Sequence, residues 1–166
     1  MVMRRALLDT DILSEVLKGR NADVRRCAET YGAQYGRLLT STISVLEIVK
    51  GLDKAGKAEQ LDSFLRTVPT LEVLALDQDA AILAGRIYAD LERKGIPIGR
   101  ADPMIAAIAL TAGCQLVTGN TEHFSRIRLL GYDLVLPTGV SRVTQEVRDG
   151  ASWILMLSCF PESSLP

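Results

Sequence analysis

The sequence is poor in the residues that bind zinc or cross-link small folds. Its 166 residues include three cysteines, Cys27, Cys114 and Cys159, and a single histidine, His123. An odd number of widely spaced cysteines matches neither a disulfide framework nor a zinc site. We therefore expect a reducing, cytoplasmic location.

Long apolar runs are missing as well. The longest run near the end, residues 153–157, has five residues, whereas a transmembrane helix needs roughly 20. The first residues, MVMRRALLDTD, hold three apolar residues before an acid, which is too short a stretch for a secretory signal. These features predict a protein without a membrane segment or an export signal.

An excess of charge of one sign is also absent. Lysine and arginine total 19, and aspartate and glutamate total 20, which leaves a net charge of −1. No overall positive field draws such a chain to nucleic acid, so any such binding needs a local patch. Aromatic residues make up 5%, too few for a base-stacking platform. Arginine supplies 14 of the basic residues and is the better bidentate partner for phosphate.

What is present is an alternation of short apolar strands and amphipathic helices. The length and the 48% hydrophobic content suit one globular domain. Strands are predicted over residues 5–8, 38–41, 71–76, 115–118 and 134–136, with helical patterns between them. This order predicts an α/β domain with three α/β/α layers and a mostly parallel central sheet.

The character of the chain changes after Pro137. We assign the folded domain to residues 1–137 and a C-terminal extension of unknown structure to residues 138–166. Apolar residues in the range 153–160 are expected to pack on the domain or on a partner, because a free segment would leave a sticky patch.

Several oxygen-bearing side chains follow predicted strands or begin the helices after them: Asp9, Glu47, Asp102, Asn120 and Glu122. Ligands of α/β sheets bind at the carboxyl ends of the strands, so we expect these side chains to converge there. Like charges at such a site repel unless a cation lies between them, and oxygen ligands select Mg²⁺ or Mn²⁺. Such an ion activates water and stabilises the leaving oxygen of a phosphodiester.

Each of these residues also has a purely structural interpretation. Glu47 completes an S-x-x-E capping box with Ser44, and Asp102 is placed to cap a helix whose first residue is a proline. Asp11 and Glu122 suit the first turn of a helix, where acids are favoured by the helix dipole. An Asx-turn is the corresponding alternative for Asp9.

Further helix limits are expected from polar residues and glycines. Asn21 and Asp77 are predicted N-caps, and Gly32 and Gly36 are predicted to break the second helix. An isolated histidine such as His123 is more often a surface or capping residue than a catalytic base.

Four strings, LLDTDILS, ISVLEIVKGL, IGRADPMIAAIAL and LVTGNTEHFSRI, occur in this order between residues 7 and 127. Together they resemble the PIN-domain ribonucleases of the VapC-like toxin type, over residues 3–137. The resemblance implies a metal-dependent endoribonuclease that cleaves RNA, with Asp9, Glu47 and Asp102 as acidic ligands. It also implies a homodimer and a small antitoxin protein that covers the acidic cleft.

The chain departs from the family pattern at two positions. Asp11 stands where family members usually have asparagine, and Asn120 stands where many have an aspartate. We predict that Glu122 supplies the missing carboxylate as a catalytic metal ligand, with Asn120 as a neutral ligand beside it. Phosphates of the RNA are expected to bind at Arg100, Arg126 and Arg128.

Two other functions compete with this interpretation. Asp9 and Asp11 after an apolar strand resemble the start of haloacid-dehalogenase-like phosphatases, although Ile12 and Leu13 replace the usual Gly-Thr continuation. A catalytically inactive PIN-like module that binds RNA or protein is the second alternative. Metal-dependent RNA cleavage distinguishes all three.

Overall fold

A computed structural model describes residues 5–20 and 22–136. Within them the chain forms four strands: β1 (Ala6–Leu8), β2 (Leu39–Ser41), β3 (Glu72–Leu74) and β4 (Gln115–Val117). The helices are α1 (Thr10–Lys18), α2 (Ala22–Tyr35), α3 (Thr42–Lys54), α4 (Ala58–Thr67), α5 (Gln78–Arg93), α6 (Ala101–Thr111) and α7 (Thr121–Leu129), and a 3-10 turn covers Val68–Thr70. The predicted cap Asn21, the domain limit at Pro137 and the C-terminal extension lie outside the described residues.

The strands form one parallel sheet in the order β3-β2-β1-β4. Leu7 of β1 lies opposite Leu39 of β2 on one side and opposite Leu116 of β4 on the other. The chain passes from β1 to β2 and β3 on one side and returns to β4 on the other side. The strand order therefore reverses at β1, and the predicted parallel α/β class is confirmed.

The two faces of the sheet bury different helices because successive side chains of a strand point to opposite faces. Ala6 and Leu8 pack in a cluster with buried residues of α1 and α2, including Leu13 and Tyr31. Leu7, between them, packs in the second cluster with residues of α5, α6 and α7, such as Ile87, Ile105 and Phe124. Helices on both faces confirm the three-layer arrangement.

The predicted strand over residues 134–136 is wrong. This segment meets β4 through one backbone hydrogen bond, from the Leu116 N–H to the Val135 carbonyl at 2.8 Å. The Leu134 N–H donates locally to the Tyr132 carbonyl. The segment therefore follows the edge of the sheet without forming a ladder, and β4 is the last strand of the described chain.

Helix limits also differ from the sequence prediction at two places. Ser41, not Ser44, caps α3, and its side chain accepts from the Ser44 N–H at 3.0 Å. Helix α2 continues through Gly32 and ends before Gly36, whose φ of 85° is a left-handed conformation that favours glycine. No helix in the described part of the chain is both long and apolar enough to span a bilayer.

Candidate active site

The carboxyl ends of β1 and β4 carry the candidate site. Asp9 follows β1 directly, and Thr118 follows β4 directly. The last residues of these strands, Leu8 and Val117, are paired in the sheet, so the residues after them lie side by side. This is the point where the strand order reverses, which is where open α/β sheets leave a crevice for ligands.

Asp9 is a buried carboxylate, with 6% of its surface exposed. It is the N-cap of α1, and its Oδ1 accepts from the Thr10 N–H at 2.7 Å. Its Oδ2 accepts from the Thr118 hydroxyl at 2.7 Å. Burial, as the largest cause, and the negative charges of Asp11 and Asp102 together raise the pKa of Asp9 to about 7, although the two hydrogen bonds oppose the shift. The cap explains part of its conformation, but a cap does not require a buried carboxylate.

Asp11 links the first helix to the loop after β4. It lies in the first turn of α1, and its Oδ1 accepts from the Ile12 N–H at 2.7 Å. Its Oδ2 accepts from the Gly119 N–H at 2.8 Å. Desolvation raises the pKa of Asp11, and the charge of Asp102 raises it further, although the backbone hydrogen bonds to its carboxylate oppose the shift. The residue therefore holds the site together and adds negative charge to it.

Glu47 reaches the site from the third helix. Because Ser41 is the cap, the predicted capping box of Ser44 with Glu47 is wrong, and Glu47 lies in the second turn of α3. Its Oε2 accepts from the Thr10 hydroxyl at 2.6 Å. Its carboxylate is therefore directed to the start of α1 rather than to its own helix end.

Asp102 belongs to the first turn of α6 and does not cap it. The N-cap is Arg100, which makes no capping hydrogen bond through its side chain, and Pro103 follows Asp102 as the third helical residue. The Oδ2 of Asp102 lies 2.7 Å from Nδ1 of His123 and 3.4 Å from Nδ2 of Asn120. The predicted structural role as helix cap is therefore wrong, and the carboxylate faces α7 instead.

Short polar bridges connect these acids into one network. Thr10 joins Asp9 to Glu47, since its N–H donates to the former and its hydroxyl to the latter. Thr118 joins Asp9 to Asn120, since its hydroxyl donates to Asp9 and accepts from the Asn120 N–H at 3.0 Å. Asn120 in turn lies against Asp102. The convergence expected from the sequence is therefore found for Asp9, Glu47, Asp102 and Asn120, through hydroxyl and amide bridges, but not for Glu122.

The network suits a cation because its donors are oxygen atoms and because it carries negative charge. Among the described residues, no three His, Cys, Asp or Glu side chains form a ready-made metal cluster. Burial is the largest cause of the raised pKa values of Asp9 and Asp11, and the nearby negative charge of Asp102 adds to both shifts. Oxygen donors with unbalanced negative charge suit a hard divalent ion.

The remaining predicted site residues lie on the exposed side of α7 or at the start of α6. Glu122 pairs with Arg126 at 2.6 Å, one helical turn away, and its side chain is 77% exposed. Arg126 also donates to the Pro97 carbonyl at 3.2 Å. Arg100 and Arg128 are exposed. The structure thus directs Glu122 to Arg126 and away from the acidic network, and its assignment as a metal ligand stays a prediction.

Several residues of the network were not predicted as site residues, among them Thr118 directly after β4. Thr10 stands between two acids, and a hydroxyl in that position was the available signal. Gly119 contributes only its backbone N–H, which has no signature in the side-chain pattern. His123 was interpreted as a surface or capping residue, because nothing in the sequence places it beside Asp102, 21 residues away.

Known proteins share both this sequence and this fold. The profile of the PIN domain matches residues 6–130. A tRNA(fMet)-specific endonuclease VapC from Shigella flexneri is 33% identical over 129 residues, which cover 75% of this chain and 93% of the relative.

Two solved structures extend the comparison to three dimensions. DNA-bound VapBC from Salmonella typhimurium matches with a TM-score of 0.65 and 34% identity, over 75% of this chain and 93% of that one. VapBC2 from Rickettsia felis, bound to a promoter DNA fragment, matches with a TM-score of 0.68 and 28% identity, over 79% of this chain and 96% of that one. The chain belongs to the PIN-domain family, among its VapC ribonucleases.

Proposed function

We propose that this chain is an endoribonuclease toxin that hydrolyses RNA phosphodiester bonds with the help of a divalent metal ion. The observation that carries the proposal is the bridged set of carboxylates Asp9, Glu47 and Asp102 at the reversal point of a PIN-family sheet. A purely acidic site repels a phosphodiester, so cleavage there requires a cation between the two.

Mg²⁺ or Mn²⁺ is the proposed cofactor. Nucleases of the PIN family generally depend on divalent metal ions. Carboxylate oxygens prefer these hard ions over zinc, and Asp9, Glu47 and Asp102 are the proposed acidic ligands, with Asn120 as a neutral oxygen donor. When bound, such an ion makes a water molecule nucleophilic and offsets charge on the phosphate.

The substrate is proposed to be RNA, whose phosphates bind to exposed arginines at the start of α6 and on α7. Arg100, at the start of α6, and Arg128, in the last turn of α7, are exposed and therefore accessible to phosphates. Arg126 would have to leave Glu122 to bind RNA. Transfer RNA is the first substrate to test, because relatives from Shigella flexneri and Salmonella typhimurium are named for cleavage of a tRNA. A cytoplasmic location follows from such a substrate, and the buried, free thiol of Cys114 agrees with it.

An antitoxin and a second copy of the chain are the proposed protein partners. The solved VapBC relatives support a partner of this kind. Leucines that a covering protein could bury are exposed on three neighbouring helices, Leu17 on α1, Leu46 on α3 and Leu65 on α4. Leu46 directly precedes Glu47, so a protein that covers it lies beside the acidic network.

Cleavage of a tRNA pool by the purified chain tests the proposal. We expect cleavage with Mg²⁺ or Mn²⁺, none in excess EDTA, and a loss of about 10²-fold or more for Asp102→Asn. Asp79→Asn is the matched control, because Asp79 is also a first-turn acid, on α5, and is exposed. Equal cleavage by the wild type and Asp102→Asn would contradict the nuclease proposal as stated, and no cleavage by the wild type with either metal ion would favour the inactive PIN-like module. The phosphatase alternative has lost its support, because the chain belongs to the PIN family.

A further inference from the structure

The Oδ2 atom of Asp102 has two polar neighbours, and one of them is the single histidine of the chain. His123 places Nδ1 at 2.7 Å from Oδ2, in a contact between α7 and α6. Asn120 lies 3.4 Å from the same oxygen and 2.7 Å from Nδ1 of His123. On another side, a Cβ at Gly99 would lie 3.2 Å from Oδ2, so a side chain there would press on the carboxylate.

One proton cannot satisfy both contacts of the imidazole Nδ1. If Nδ1 lacks a proton, it accepts from Asn120 but presents a lone pair to a carboxylate oxygen at 2.7 Å. If Nδ1 carries the proton, it donates to Oδ2, and the amide nitrogen of Asn120 is a second donor to the same oxygen at 3.4 Å. The position of an imidazole proton is assigned from the hydrogen-bond network, and the second arrangement is the one in which both neighbours donate to the carboxylate.

The surroundings of His123 make it a suitable support for a carboxylate. The next residue, Phe124, is fully buried in the core cluster that includes α6, which anchors α7 against that helix. The side chain of His123 is 34% exposed, and that of Asp102 is 15% exposed. The imidazole therefore reaches Asp102 from a rigid element at the rim of the site, and its contact goes to a single oxygen.

We propose that His123 is a positioning residue that donates from Nδ1 to Oδ2 of Asp102, fixes that carboxylate for a divalent ion, and so sets the affinity of the site for metal. This inference rests on the proposed function, because Asp102 is one of the proposed ligands. Partners that orient a metal ligand typically change metal affinity by about 10–100-fold when they are removed.

Binding of Mn²⁺ to the full-length chain, measured by calorimetry, tests the proposal independently of RNA cleavage. His123→Ala is expected to weaken binding by about tenfold or more. His123→Asn is expected to restore most of the affinity, because its amide nitrogen is attached to Cγ as Nδ1 is. Ser125→Ala, on the same helix, is the control and is expected to bind as the wild type does. In the Asp102→Asn background, His123→Ala should cause no further loss.

Cleavage measurements separate the failure of this inference from the failure of the nuclease proposal. Positioning predicts that His123→Ala regains most of its kcat at high Mn²⁺ while KM for RNA stays unchanged. Unchanged Mn²⁺ affinity in His123→Ala, with metal-dependent cleavage by the wild type, would overturn the positioning role alone. Equal losses in His123→Ala and His123→Asn, with lower thermal midpoints, would show a structural role and also overturn it. If the wild type binds Mn²⁺ with an affinity that depends on His123 but cleaves no RNA, the nuclease proposal alone is overturned. If the wild type binds no Mn²⁺, both proposals are overturned.

Discussion

Two places where the chain passes through an aspartate into a helix differ in what the aspartate does. Asp77 begins α5 shortly after β3, is exposed, and accepts from the Ala80 N–H at 2.9 Å. Asp9 begins α1 after β1, is buried, and accepts from Thr10 and from the Thr118 hydroxyl. The same local pattern thus produces an ordinary helix cap in one place and the centre of the candidate site in the other.

The position of the preceding strand explains the difference. β3 is at the edge of the sheet, so the residues after it have a neighbouring strand on one side only. β1 lies between β2 and β4, and the residues that follow β4 come to rest against Asp9. An aspartate at a helix N-cap is therefore part of the site when polar residues that follow a neighbouring strand lie beside it.

The largest expected effect is on activity. Asp9→Asn should reduce metal-dependent RNA cleavage by about 10²-fold or more, because a neutral amide binds the metal ion more weakly and removes several kcal/mol of transition-state stabilisation. Asp77→Asn should leave cleavage unchanged, since asparagine is an equally good N-cap. Cleavage rates of both variants at saturating Mg²⁺ measure the contrast. Comparable losses at the two positions would mean that the two aspartates have equivalent roles.

The second effect is on the pH dependence of stability. The pKa of Asp9 is raised from 3.8 to about 7 in the folded protein, so the folded state binds this proton more tightly than the unfolded state. The associated stability is present below the lower value and is lost as the pH rises to the higher one. In EDTA, the free energy of unfolding of Asp9→Asn, relative to that of the wild type, should therefore rise between pH 5 and pH 8 by on the order of 2 kcal/mol.

Urea denaturation at these two pH values measures that gain. Asp77→Ala serves for comparison. Because it lacks the N-cap of α5, its free energy of unfolding should fall by about 1 kcal/mol, and this loss should be nearly the same at pH 5 and pH 8. A gain of Asp9→Asn that does not depend on pH would contradict the raised pKa of Asp9.

A smaller effect on stability is expected at Thr118, which directly follows β4. Thr118→Val removes the hydroxyl that donates to Asp9 and leaves that carboxylate oxygen without this donor. We expect a loss of about 1 to 3 kcal/mol at pH 8, since the bond is to a charged group. The loss should shrink at pH 5, because the hydrogen bond favours ionised Asp9. Thr118→Ser keeps the hydroxyl and should behave nearly as the wild type in denaturation at both pH values.

The smallest effect concerns Glu122. Its exposed pair with Arg126 leads us to expect that Glu122→Gln costs at most about 0.5 kcal/mol and leaves the Mg²⁺ dependence of cleavage unchanged. Asn120→Asp, assayed in parallel, should change that dependence, because it adds a charge beside Asp102. A weaker metal response in Glu122→Gln would instead restore Glu122 to the ligand set predicted from the sequence.

The sequence predicted the layers of the fold better than the residues at which its helices and strands begin and end. Alternating strands and helices are encoded by local periodicity, so the parallel α/β class could be predicted. The cap of α3 could not, because Ser41 and Ser44 both suit an N-cap and only the extended φ and ψ of Ser41 select it. The segment at 134–136 has the composition of a strand but pairs through a single bond to β4, which depends on where the chain turns after α7.

By itself, the sequence determined the four acid-bearing strings, the strand order along the chain and the oxygen character of the candidate site. Only the tertiary structure decided which acids share a network, because hydrogen bonds such as Thr10 to Glu47 and Thr118 to Asp9 join residues far apart in the chain. It also brought His123 to Asp102 and directed Glu122 to Arg126. The reason is that periodicity and capping are short-range properties of the chain, whereas burial, charge repulsion and bridging contacts depend on which elements pack together.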